Sequence, residues 1–148
     1  MGDRQRNAFR QATGFSKRKK RKGFLHHYLA IWRVETVFRN YALIRAFPRT
    51  GKTHQIRVHL KQIGLPLAVD PLYNPPGPRG ENGVFLSQFK RGYRPTRGED
   101  ERPLVARLTL HAARLKFQNL DGTGVEIHSP LPKNMRATID QLGRHARR

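Results

Sequence analysis

Between Ile31 and Ile63 the spacing of apolar residues changes from a period of two to a helical period, with Pro48 at the changeover. That switch restricts the chain to folds in which a β-hairpin runs directly into a helix. Trp32, Val34, Thr36 and Phe38 alternate with Arg33, Glu35, Val37 and Arg39. Successive strand side chains point to opposite faces, so this alternation predicts a strand with one buried face. Arg39-Asn40 can turn the chain, Tyr41 to Phe47 is a second β-rich run, and Pro48 ends it, so 31–48 reads as a hairpin. Downstream, Ile56, Leu60 and Ile63 make one apolar stripe of a helix over His54–Ile63. His54, Arg57 and Lys61 make a basic stripe beside it. Thr53 is placed to cap this helix and Gly64 to stop it. The helix thus has one face for a core and one for an anion.

The second half repeats the order. Residues 65–80 read as a structured turn followed by a loop, and 91–103 as a polar loop. Leu108–Phe117 is a strand candidate, Asp121 to Gly124 a turn, and Val125–His128 the returning strand. Pro130 and Pro132 lead into a last helix, with Met135, Ile139 and Leu142 as its apolar stripe and Gly143 as its stop. Strand, strand, helix, twice over, predicts an α+β fold: a mixed, mainly antiparallel sheet with packed helices.

Charge narrows the partners. The 148 residues carry 30 Lys and Arg against 10 acids, a formal net charge of +20. Each phosphate neutralised by such a surface releases condensed counterions, so a polyanion is the favoured partner. Nucleic acid is the first reading and an anionic membrane surface the second. The plain alternative is a basic protein that sticks to RNA and does no chemistry. Residues 1–23, with the run Lys17-Arg18-Lys19-Lys20-Arg21-Lys22, read as a basic arm that repels itself and stays extended. An RNA-gripping arm, a localisation patch, a transit peptide and a solvated tail all fit it. Residues 24–148 read as the folded domain. The chain has no cysteine, which rules out disulfides and thiolate metal sites and agrees with a reducing, cytoplasmic location. No apolar run is long enough to span a bilayer.

Two motifs invite chemistry. Ala46 to Thr53 fits a relaxed phosphate-loop pattern, but Ala46 stands where a glycine is needed and Pro48 removes a backbone N–H. His54 and His59 are five residues apart and do not share a helix face, which disfavours a zinc pair, and no metal is expected. Either histidine can be a general base or a packing residue. Arg57 lies next to the apolar stripe, so its head group is expected to be partly buried, and a buried guanidinium needs a carboxylate or phosphate partner.

The stretch Arg49-Thr50-Gly51-Lys52-Thr53-His54-Gln55-Ile56-Arg57-Val58-His59-Leu60, then Ile63-Gly64, Pro66-Leu67 and Asp70-Pro71-Leu72-Tyr73, resembles the signature of RluA-type pseudouridine synthases. Lys52 stands where that family usually has arginine, and Val69 where it has glycine. Leu110-His111-Ala112, Leu115, Phe117 and Pro130-Leu131-Pro132 resemble its closing segment. The likeness runs from Ile31 to Leu142, the C-terminal part of the family's catalytic domain. It implies a cofactor-free isomerisation of uridine in structured, ribosomal RNA. An aspartate nucleophile opens that reaction, and Arg57 pairs with it. The resemblance also implies that Asp70, Tyr73 and His111 shape the site. Arg49, Lys52, Thr53, His54, Gln55 and Lys61 are the candidate RNA contacts, with solvated basic surface as the competing reading.

The family's His-Arg-Leu-Asp motif, which carries the nucleophile, does not occur in the 148 residues, nor does its Lys-x-Tyr motif. Two expectations follow. Arg57 is either solvated or paired to another acid such as Asp70, because a buried unpaired charge costs about 3–5 kcal/mol. The sheet is left with an open edge and exposed apolar surface, so the chain alone is expected to be marginally stable or to associate with itself, and a separate N-terminal half is a candidate partner. An inactive RNA-binding remnant is the alternative to an enzyme.

Overall fold

The computed structural model describes residues 31–76 and 82–146. The basic arm expected over 1–23 lies outside them, and so does part of the proline-rich loop.

Strands β1 (Ile31–Val37) and β2 (Ala42–Phe47) form the antiparallel hairpin expected from the alternation, with Trp32 opposite Ala46 and Val34 opposite Ile44. The alternation holds only as far as Val34. The register then shifts, so that Thr36 pairs with Leu43 and Val37 with Ala42. One extra residue in a strand is a β-bulge, and it exchanges the two faces beyond it. Thr36 is accordingly exposed where burial was expected, while Val37 is half-buried. On the solvent face Glu35 takes Arg45 Nε at 2.5 Å and Arg33 Nη2 at 3.1 Å. The turn buries Phe38, whose N–H donates to Tyr41 O at 2.8 Å.

Helix α1 (Gln55–Gln62) follows. Thr53 does not cap it: His54 is the N-cap residue, left-handed at φ 54°, and no side chain caps the first turn. Gln55 closes the loop instead. Its Oε1 accepts from Thr50 Oγ1 at 2.7 Å and from Lys52 N at 3.2 Å, and its own N–H donates to Lys52 O. The amide side chain therefore does from inside the helix what a capping hydroxyl does from before it. Gly64 stops α1 as expected, at φ 78°. Its N–H donates to Lys61 O, and Leu65 N–H reaches back to Leu60 O, the paired bonds of a Schellman ending.

The core is assembled mainly from loops. Phe38, Val69, Val84, Phe89, Val105, Leu142 and Ala146 are buried together, with Met135 and Ile139 packed against them. Val84 and Val105 form an isolated antiparallel bridge. The chains come so close there that a Cβ on Gly83 would sit 2.7 Å from Pro103 Cβ. Helix α2 (Lys133–His145) lays the expected Met135, Ile139 and Leu142 stripe on this cluster. Gly143 does not end it; the helix runs two residues further, to His145. Ala146 is the C-cap, and its carbonyl accepts Arg39 N–H at 2.8 Å, tying the helix end to the first hairpin.

Strands β3 (Arg114–Gln118) and β4 (Gly124–His128) form the second hairpin. The strand expected over Leu108–Phe117 begins only at Arg114. Upstream, Thr109 is held across the 65–76 loop by its N–H to Val69 O at 3.2 Å and by Val69 N–H to its Oγ1 at 3.1 Å. Those bonds engage the backbone that would otherwise extend the ladder. Among the described residues the fold is thus α+β: two helices and two separate two-stranded antiparallel sheets. No helix among them is long and apolar enough to cross a membrane.

Candidate functional site

After Gly64 redirects the chain, the segment 65–76 folds back beside α1. Asn74 fastens it: its Nδ2 donates to Leu67 O at 2.9 Å and to Ala68 O at 3.3 Å, and its N–H donates to Asp70 O at 2.9 Å. Thr109 fixes Val69 from the other side. Asp70 is therefore presented from a backbone held on both sides.

Its carboxylate is fully buried and fully engaged. Oδ1 accepts Leu72 N–H at 3.0 Å, Tyr73 N–H at 3.1 Å and Arg57 Nη2 at 2.6 Å, while Oδ2 accepts Arg57 Nε at 2.9 Å. The Arg57 side chain is only 12% exposed. The Arg57 guanidinium, helped by the two backbone N–H groups, holds the Asp70 carboxyl down at about 2 against the pull of burial. Of the two outcomes open to Arg57, solvation or pairing to another acid, the fold takes the second, and Asp70 is the acid. Two of the five N–H donors of the guanidinium are committed to Asp70. Among the described residues no hydrogen bond engages Nη1, which can take a further anion.

Tyr73 gathers the basic stripe of α1. Its hydroxyl lies 3.2 Å from His54 Nδ1, and the two rings meet edge to face at 5.6 Å. Arg57 Cζ lies 5.0 Å from the Tyr73 ring centroid and Lys61 Nζ 5.7 Å. Cations at these distances are attracted by the negative face of the ring. The spacing of His54, Arg57 and Lys61 put three basic groups on one face; what they converge on is an aromatic ring from the following loop. His54 reaches it from a left-handed backbone that histidine tolerates better than most residues.

The remaining candidates fall into two groups. Arg49, Lys52 and Thr53 are exposed around the entry to α1, and Lys61 is exposed in its last turn. Gln55 is buried and spends its side chain on Thr50 and Lys52, so it builds the loop from beneath. His111 is half-buried, and its Nε2 lies 3.1 Å from Ser129 O, which ties it to the segment after β4 and not to Arg57 or Tyr73. His59 buries its Nδ1 with no hydrogen-bond partner among the described residues, which suits packing better than proton transfer. Two residues that hold the site were not candidates. Asn74 carries the usual signal of a side-chain amide in a turn, whereas Thr109 carries none that can be read locally. Chemically, the cluster can orient an anion and offer an aromatic surface.

No protein-family model matches the chain. Curated relatives do. Ribosomal large subunit pseudouridine synthase D of Haemophilus ducreyi is 34% identical over 114 residues, covering 75% of this chain and 31% of that protein. The Escherichia coli K12 protein of the same name is 32% identical over the same shares. An uncharacterized RNA pseudouridine synthase, YlyB of Bacillus subtilis, is 35% identical over 71% of this chain and 27% of its own length. The chain thus spans less than a third of the length of each of these relatives.

Proposed function

We propose, taking as premise the chain's kinship with the RluA-type pseudouridine synthases, that it supplies the arginine-bearing, RNA-facing part of a domain that isomerises uridine in structured ribosomal RNA. The observation that supports this best is the seating of Arg57. Its guanidinium is nearly buried, held along one edge by Asp70 and across one face by Tyr73. An arginine so fixed is a receptor for one more carboxylate, which is what the nucleophilic aspartate of this family requires. The 148 residues contain no His-Arg-Leu-Asp motif, so that carboxylate comes from polypeptide outside this sequence.

The chemistry rearranges one nucleoside with no cofactor: C1′–N1 breaks and C1′–C5 forms, C5 gives up its proton, and N1 ends protonated. The target base must leave its stack to be reached. Tyr73, flanked by His54 and Lys61, offers the surface where it or a neighbouring base can lie. Arg49, Lys52 and Thr53 face the RNA backbone, His111 lies along the margin, and Gln55 and Asp70 act from below. The basic arm 1–23 adds grip, 24–148 is the domain, and the setting is cytoplasmic.

A catalytically silent RNA-binding remnant is the second reading, favoured by the same missing motif. The deciding experiment measures pseudouridine in unmodified ribosomal RNA. The chain is tested alone and then mixed with the part of the Escherichia coli relative outside the match. Turnover only in the mixture, abolished by Arg57→Ala, is the expected result. RNA binding with no turnover in either case establishes the remnant.

A further inference from the structure

The β3–β4 hairpin is an amphipathic ribbon whose apolar side is largely uncovered among the described residues. Leu115 pairs with Ile127 and Phe117 with Val125, so these four side chains share one face. Arg114, Lys116, Glu126 and His128 share the other, where Glu126 binds Arg114 at 2.6 Å, Lys116 at 2.7 Å and His128 at 2.7 Å. The charged face is thus internally satisfied. On the apolar face Leu115 is 57% exposed, Phe117 45% and Ile127 51%, and none of the four belongs to the buried core cluster. In a two-stranded sheet each strand also keeps one unpaired edge. A lone hairpin is marginal in water; stability needs a third strand or a body packed on its apolar face.

We propose that this face is an internal interface, covered by the part of the catalytic domain that the longer relatives possess outside their match to this chain. The inference rests on the reading of the chain as part of such a domain. Coverage supports it: the match takes up only 31% of the first two relatives, which leaves them ample polypeptide to seat there. Size and charge argue against a second copy. Two residue pairs present on the order of 200 Å² at strand spacings, well below the ~800 Å² per partner of a stable association. Two chains of +20 also repel. A larger body that adds strands to the open edges as well as covering the face meets the size requirement.

The test mixes the full 148-residue chain with the Escherichia coli polypeptide outside the matched region. It reads complex formation by sedimentation and amide exchange across 114–118 and 124–128. A one-to-one complex in which these amides exchange at least tenfold more slowly is expected. Replacing Leu115, Phe117 and Ile127 together by threonine keeps strand propensity and should weaken the complex at least tenfold. Lys116→Gln, on the opposite face, should leave it unchanged. The interface is refuted by any of four results: no complex, a complex whose hairpin amides stay fast, a triple variant that binds as tightly, or dimers of the chain through this face. A complex with a protected hairpin and no pseudouridine keeps the interface and sinks the catalytic reading. Pseudouridine formed in the mixture while the hairpin amides stay fast does the reverse.

Discussion

The guanidinium of Arg57 meets the carboxylate of Asp70 edge to edge, Nε to Oδ2 at 2.9 Å and Nη2 to Oδ1 at 2.6 Å, across 13 residues of sequence. The pair is largely shut off from water, since the carboxylate is 0% exposed and the arginine side chain 12%. Buried pairs contribute modestly against apolar replacements, but removing one partner strands the other. Asp70 also gathers the N–H groups of Leu72 and Tyr73, so it organises the loop that carries the aromatic ring.

Asp70→Asn should therefore destabilise the fold by about 3–5 kcal/mol, the usual cost of breaking a buried ion pair. Arg57→Lys should fall short of full recovery, because an ammonium cannot span two carboxylate oxygens. Urea unfolding of the three proteins checks both, and an Asp70→Asn midpoint within error of the parent would refute the first.

The same pair sets an acid limit. The folded Asp70 carboxyl lies at about 2, below its ordinary 3.8, chiefly because Arg57 favours the charged form. A depressed carboxyl stabilises the fold fully above the ordinary value, and that contribution is lost as pH falls through the folded value. Stability should accordingly decline between about pH 4 and pH 2. Glu35 and Glu126, both lowered by arginine or lysine partners on the surface, add to the decline with the same sign. In Asp70→Asn the decline should be shallower, which thermal melts at stepped pH would show.

What could be read in the sequence was whatever local periodicity or electrostatic necessity dictates. The 31–48 hairpin and the stripe Met135, Ile139, Leu142 follow from spacing alone. The need of Arg57 for an acid follows from its place beside an apolar stripe, and with only 10 acids in the chain few could serve. The bulge after Val34 was not legible, because Glu35 and Thr36 suit a regular strand as well as a bulged one. Nor was the core: Val69, Val84, Phe89 and Val105 come from segments without period, and only tertiary contact joins them. Tyr73 as the meeting point of His54, Arg57 and Lys61 depends on how 65–76 folds back, which Asn74 and Thr109 decide from a distance.

Gly64 carries that fold-back. Its φ of 78° is left-handed, where a Cβ crowds the backbone. Gly64→Ala should cost about 1–2 kcal/mol. Gly143→Ala, in the last turn of α2, where an added Cβ would meet no side chain or neighbouring segment within 4 Å, should instead stabilise by roughly 0.5–1 kcal/mol. Opposite shifts in melting temperature are the check.

Tyr73 and Lys61 should separate in RNA binding, because one offers a ring and the other a charge. Tyr73→Phe keeps the ring beside Arg57 and Lys61 and loses only the hydroxyl's contact with His54, so affinity should change less than about threefold, within the net worth of one neutral hydrogen bond. Tyr73→Ala removes the surface on which a base can stack, worth about 1–3 kcal/mol. Neither variant alters charge, so both should keep the parent's dependence of log Kd on log salt. Lys61→Gln should do the opposite, lowering affinity evenly across RNA sequences and reducing the magnitude of that slope by about 0.7–0.9. Titrations of a structured ribosomal RNA fragment at three or more salt concentrations resolve the two effects. If Tyr73→Ala leaves affinity intact while Lys61→Gln weakens it, the RNA is held by charge alone and the aromatic ring serves only to seat Arg57.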